Sequence, residues 1–120
     1  MRKVMLAEDD STMLSLLRTL LTMEGFEAAT LGEREDVLEA LHRETPDIVL
    51  LDVNLPQGNG IDYLRRIRQD KLLQKVYVIM SSGMALEAEC LAAGANSFLL
   101  KPYMPDVLIG AIKNGLSAQK

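Results

Sequence analysis

A chain of 120 residues, 48% hydrophobic and 25% charged, has the length for one domain with a real core and an ordinary globular composition. A net charge of −4 disfavours an electrostatic nucleic-acid surface, no stretch approaches a membrane span, and MRKVMLAEDD runs into acids too soon for a secretory leader. Cys90 is the single cysteine, so no internal disulfide framework exists, and a reducing, cytoplasmic setting is expected.

Val4–Ala7 is an apolar run ending in EDD and is predicted as the first strand. Ser11 or Thr12 can cap a helix in which Leu14, Leu17, Leu20 and Leu21 recur at helical spacing, with Gly25 as its stop. Phe26–Thr30 is a weak strand. Gly32–Glu44 is predicted as a charged helix with Val37, Leu38 and Leu41 facing inward, ended by Thr45-Pro46. Ile48–Leu51 is the third strand, and Ile61–Arg68 a short helix burying Ile61, Leu64 and Ile67. Val76–Met80 is the fourth strand, Ala85–Ala93 a helix closed by Gly94, and Ser97–Leu100 the fifth strand. Pro105–Leu116 is the last helix, with Val107, Leu108 and Ile112 as its apolar positions. The first, third and fourth strands are apolar throughout rather than alternating, as strands covered on both faces are, so the β–α alternation predicts a doubly wound α/β domain.

Ligands of such sheets bind beyond the carboxyl ends of the strands. Those ends carry Glu8, Asp9 and Asp10, then Asp52 with Asn54 two further on, then Ser81 and Ser82, then Lys101. Carboxylates gathered in one place repel, and a hard divalent cation relieves the repulsion; Mg²⁺ prefers such oxygen ligands. Lys101 offers a compact charge suited to a phosphate oxygen, and Ser82 a hydroxyl donor. A metal, a cation, a donor and a carboxylate are the parts of phosphoryl transfer.

The segments VMLAEDDSTM, IVLLDVNLPQGNG, VIMSSG and FLLKP, in this order and over essentially the whole chain, resemble the receiver domain of two-component response regulators. The resemblance implies a flavodoxin-like five-stranded parallel sheet of order 2-1-3-4-5 with five helices, forming one receiver domain over residues 1–120. It implies that Asp52 accepts a phosphoryl group from a sensor histidine kinase or a phosphotransfer protein. Glu8 and Asp9 would be the acidic pair of an Mg²⁺ site, with Asp9 the direct ligand beside Asp52, and Asn54 would add its backbone carbonyl. Ser82 would be the switch hydroxyl, with the small Gly83 leaving the phosphoryl site open. Lys101 would be the invariant lysine, followed by a cis proline bond, and Phe98 the switch aromatic. The domain would be no enzyme beyond self-catalysed phosphotransfer and autodephosphorylation. Its readers would be a downstream protein target, a fused output domain or a phosphorylation-dependent second copy, with no direct contact to nucleic acid or membrane. Ser82 to Gly94 looks about three residues shorter than is usual in the family, most of a helical turn, which bears on the output surface rather than on the chemistry.

Plainer roles compete for each residue. Asp52 alone could open a turn; EDD could cap the first helix, a role suited to Asp10; Lys101 could snorkel at the surface; Phe98 and the methionines could simply fill the core. His42 and Cys90 are assigned no function. A small phosphohydrolase with an aspartyl-phosphate intermediate is a rival, but its usual second Asp is replaced by Asn54, which cannot exchange a proton. An unphosphorylated receiver-like module is another, but such modules tend to lose acids or the lysine, and none is lost.

Overall fold

In the computed structural model, which describes residues 2–32 and 34–118, five parallel strands form the central sheet. They are β1 (Lys3–Ala7), β2 (Glu27–Thr30), β3 (Ile48–Asp52), β6 (Tyr77–Ser82) and β7 (Ser97–Leu100). Between β3 and the next helix lies a hairpin of two short strands, β4 (Asn54–Leu55) and β5 (Gly58–Asn59). The sheet order is β2-β1-β3-β6-β7, the expected 2-1-3-4-5 once the hairpin is set aside. The helices are α1 (Ser11–Met23), α2 (Val37–Glu44), α3 (Gly60–Gln69), α4 (Glu87–Ala92) and α5 (Pro105–Ala118).

Strand alternation sends side chains to two cores. Val4, Leu6, Ile48, Leu50 and Ile79 join Leu17 and Leu21 of α1 and Leu108 and Ile112 of α5. Met5, Val49, Leu51, Val78 and Met80 join residues of α2, α3 and α4, including Leu41, Leu64, Ile67 and Cys90. Every residue of β3 is buried, which explains its unbroken apolar sequence.

Several boundaries differ from the sequence expectation. The first helix is capped by Asp10, whose carboxylate accepts the Met13 N–H at 3.0 Å, rather than by Ser11 or Thr12. The second helix begins at Val37, not Gly32, because Asp36 caps it by accepting from Leu38 and Glu39, while Gly32 turns back onto the Glu35 carboxylate. Of the expected helical positions there, residue 33 lies outside the described residues. Val107 faces outward: Leu108, Ile112 and Gly115 set the buried phase of α5, and Val107 falls one residue off it. The methionines divide: Met5 and Met80 are core, whereas Met23, Met84 and Met104 are exposed. The fourth long strand runs on to Ser82, which brings both serines into the sheet.

Candidate functional site

The carboxyl ends of β1, β3 and β7 meet in one cluster. Glu8 follows β1 and is only 5% exposed; its Oε2 accepts the N–H groups of Asp9 and Asp10 at 3.0 and 3.2 Å, which fixes the chain as it turns into α1. Asp52 closes β3 and is also 5% exposed. Its Oδ1 accepts the Asn54 N–H at 3.3 Å, and its Oδ2 accepts from the Lys101 ammonium at 2.8 Å. The same ammonium stands 2.8 Å from Glu8 Oε1, an ion pair without hydrogen-bond alignment. Asp9 is exposed, and one oxygen from each of Glu8, Asp9 and Asp52 lies within 4.8 Å of the others.

Two local features hold Asp52 in place. Val53 donates its N–H to the Ser81 carbonyl at 2.9 Å, extending the β3–β6 ladder past the acid. The chain then folds back through the hairpin, and the Gly60 N–H reaches the Val53 carbonyl at 2.6 Å. A Cβ on Gly60 would stand 2.2 Å from the Asp52 carbonyl oxygen and 2.9 Å from Val53 Cα, so only glycine lets α3 start this close to the acid.

Burial opposes the charge on Lys101, but Asp52 and then Glu8, each with an oxygen 2.8 Å from the ammonium, outweigh it, and the pKa rises. The lysine is therefore a permanent cation, paired with two of the three acids, Glu8 and Asp52. The surplus negative charge and the hard oxygen donors fit a divalent cation of the Mg²⁺ kind. Asp9, the exposed member, opens the cluster to solvent.

The sequence-predicted residues thus meet in part. Glu8, Asp9, Asp52 and Lys101 are together, and Asn54 touches Asp52 through its amide N–H. Ser82 is buried and its Oγ accepts the Met84 N–H at 3.0 Å; it makes no hydrogen bond to Asp52. Phe98 is half-buried, across from Met80, and packs against the core under α4. Gly83 is open, since a Cβ there would meet nothing within 4 Å. The Lys101–Pro102 bond is cis. Nothing in the sequence singles out Tyr103, and the close backbone approach at Gly60 leaves no mark in sequence beyond the glycine itself.

The family described as the response regulator receiver domain matches residues 4–113. The chain belongs to that family. It is 31% identical over 95% of its length to the transcriptional regulatory protein YxdJ of Bacillus subtilis, and spans about half of that relative, 50%. Among solved structures it resembles a response regulator from Chloroflexus aurantiacus at 28% identity, with a TM-score of 0.87 over 97% of this chain and 98% of the other. It also shares its fold with the receiver domain of the sensor histidine kinase PA1611 of Pseudomonas aeruginosa, at 24% identity and a TM-score of 0.84 over 97% and 98% of the two chains; that structure holds a magnesium ion in its active-site cleft. Receiver domains are signalling domains of two-component systems, and the fold of this chain is that of one. No helix among the described residues is long and apolar enough to cross a membrane.

Proposed function

We propose that residues 1–120 act as one receiver domain in which Asp52 is the phosphoacceptor. The observation that carries this is a carboxylate at a buried strand end, with two further carboxylates within 4.8 Å and a lysine ammonium at 2.8 Å. A carboxylate oxygen of Asp52 attacks the phosphorus of a phosphohistidine on a sensor histidine kinase or phosphotransfer protein. The N–P bond breaks with its electron pair returning to the imidazole, and an acyl phosphate forms. Asp9 and Asp52, with the Asn54 backbone carbonyl, would hold Mg²⁺ and Glu8 would stand behind them; the ion supplies charge neutralisation at the phosphoryl oxygens. Lys101 pairs with one of those oxygens, and a later attack by water releases inorganic phosphate. No substrate chemistry beyond this transfer and self-dephosphorylation is assigned.

The phosphoryl group adds charge and acceptor oxygens beside Asp52. Ser82 then gives up Met84 to donate to one of them, and Phe98 rotates into the space behind β6. The face made by α4, β7 and α5 carries Leu91, Leu100, Met104 and Val107, all about half exposed or more. That apolar surface suits a downstream protein target, a fused output domain or a second copy as reader. The acidic charge of the chain disfavours direct nucleic-acid contact, and a cytoplasmic setting, where a kinase's catalytic part would meet it, follows from the same reading.

The test is incorporation. With Mg²⁺ and a small phosphodonor, mass spectrometry should find one added phosphoryl group on the wild type and none on Asp52→Ala. Equal incorporation in both would overturn the assignment.

A further inference from the structure

Five buried side-chain oxygens lack a hydrogen-bond partner among the described residues, and three of them, Glu8 Oε1, Ser81 Oγ and Tyr103 Oη, belong to residues at or just past the carboxyl ends of β1, β6 and β7. Ser81 pairs with Asp52 on β3 and with Leu99 on β7. Alternation along β6 puts its side chain on the side of Tyr77 and Ile79, the face covered by α1 and α5. Tyr103 follows Lys101 by two residues and packs against that same face. Its hydroxyl feels the charges of Glu8, Lys101 and Asp52; burial first and Glu8 next push its pKa up to about 12.

An orphaned buried hydroxyl is costly, and alanine and phenylalanine would fill these two positions without that penalty. The polar groups nearby have matching needs. An ammonium carries three N–H donors. Lys101 directs one at Asp52 and points another toward Glu8, and makes no further hydrogen bond. Glu8 Oε1 is a buried acceptor without an aligned donor. A hydroxyl accepts from an ammonium and donates to a carboxylate at once.

We propose that Ser81 and Tyr103 are positioning residues for phosphoryl transfer. Through one shared buried water, their hydroxyls accept the remaining N–H of Lys101 and donate to Glu8 Oε1. They form the floor that keeps the ammonium on the Asp52 side of the cluster. When Lys101 turns to a phosphoryl oxygen, Tyr103 remains as the donor for Glu8, so the buried carboxylate is not stranded. This rests on Asp52 being the phosphoacceptor.

The experiment compares wild type, Ser81→Ala, Tyr103→Phe and the double variant in three measurements: Mg²⁺ affinity by calorimetry, beryllofluoride affinity in saturating Mg²⁺, and thermal melting. The metal leans on Asp9 and Asp52, whereas a phosphoryl mimic on Asp52 must also engage Lys101. The double variant should bind beryllofluoride roughly tenfold more weakly, the effect of losing a hydrogen bond to a charged group, with Mg²⁺ affinity unchanged. Ser81→Thr, which keeps the hydroxyl, should bind like wild type. Unchanged beryllofluoride affinity with a raised melting temperature would show two orphaned hydroxyls and overturn the proposal. Parallel loss of Mg²⁺ affinity and melting temperature would mark a merely structural role and overturn it too. Wild type that takes neither the mimic nor a phosphoryl group would instead sink the phosphoacceptor reading itself.

Discussion

The two ends of the sheet use the same residue types to opposite effect. At the amino end, Lys3 exchanges backbone and carboxylate hydrogen bonds with Asp47, and its ammonium reaches Glu44 at 3.2 Å and Glu27 at 3.4 Å. Arg68 gives its guanidinium to the carbonyls of Gly94, Gln74 and Val76 and to the Asn96 side chain, at 2.7–3.0 Å. Asn96 in turn receives the Val78 N–H at 2.8 Å. These groups tie strand starts to helix ends. At the carboxyl end, three acids cluster around one lysine that pairs with two of them, and among the described residues buried hydroxyls stay without partners. Paired charge holds a fold; charge left in surplus is what a site keeps for a ligand.

Removing Lys101 should separate the two ends most sharply. Lys101→Ala takes the counter-charge from the cluster, so Mg²⁺ should bind more tightly. Phosphorylation should nevertheless slow by about a hundredfold, the usual cost of deleting one group that stabilises a transition-state oxygen. Calorimetry and phosphodonor kinetics on one preparation check both. Weaker Mg²⁺ binding would mean that the lysine builds the site rather than opposing its charge.

The mirror experiment is Arg68→Ala. It strips several part-buried carbonyls of their donor and should cost about 2–3 kcal/mol of unfolding free energy, read as a lower urea midpoint at constant slope. Mg²⁺ affinity should not move. Arg68→Lys should not rescue it, because a single ammonium cannot span four acceptors on two segments. A matching fall in Mg²⁺ affinity would show that the two ends are coupled.

A smaller effect is expected at the rim. Met84, two residues past Ser82, is 63% exposed and apolar where a polar side chain would help line up the attacking water. Met84→Glu should shorten the lifetime of the phosphorylated form by a few fold, on the order of 0.5–1 kcal/mol. An unchanged decay rate would mean that Met84 does not shield the phosphorus.

The carboxyl end was more legible in sequence than the amino end, for a physical reason. Asp52, Glu8 and Lys101 stand out because each ends an apolar run that has no use for a charge. Arg68 and Asn96 sit among polar neighbours at helix and loop ends, where a charged residue is unremarkable, and only the fold shows their carbonyl partners. The β4–β5 hairpin was missed because its strands are two residues each, too short for any periodicity. The early start given to α2 came from the charged run GERED, which lacks an apolar stripe; the true start is where Asp36 meets Val37. Ser81 and Ser82 stand side by side at a strand end, and sequence cannot say which of two adjacent strand residues faces which core.

The smallest expected effect belongs to the amino end and depends on pH. Asp70, at the end of α3, accepts the Leu72 N–H at 2.9 Å and pairs with His42 at 2.7 Å. Burial pushes its carboxyl up, but the Leu72 amide and then His42 outweigh burial, and the pKa falls below the ordinary 3.8. A carboxylate depressed in the folded state stabilises the fold at pH values above its unfolded pKa and loses that contribution as pH falls through the folded value. Wild type should therefore exceed Asp70→Asn in stability near neutrality, and the difference should close below about pH 4. Urea midpoints from pH 7 down to pH 3 measure it. The Mg²⁺ affinity of Asp70→Asn near pH 7 should match wild type, because the pair lies at the end of the sheet away from the acidic cluster. A gap that widened on acidification would reverse the sign and show that Asp70 is held in its neutral form.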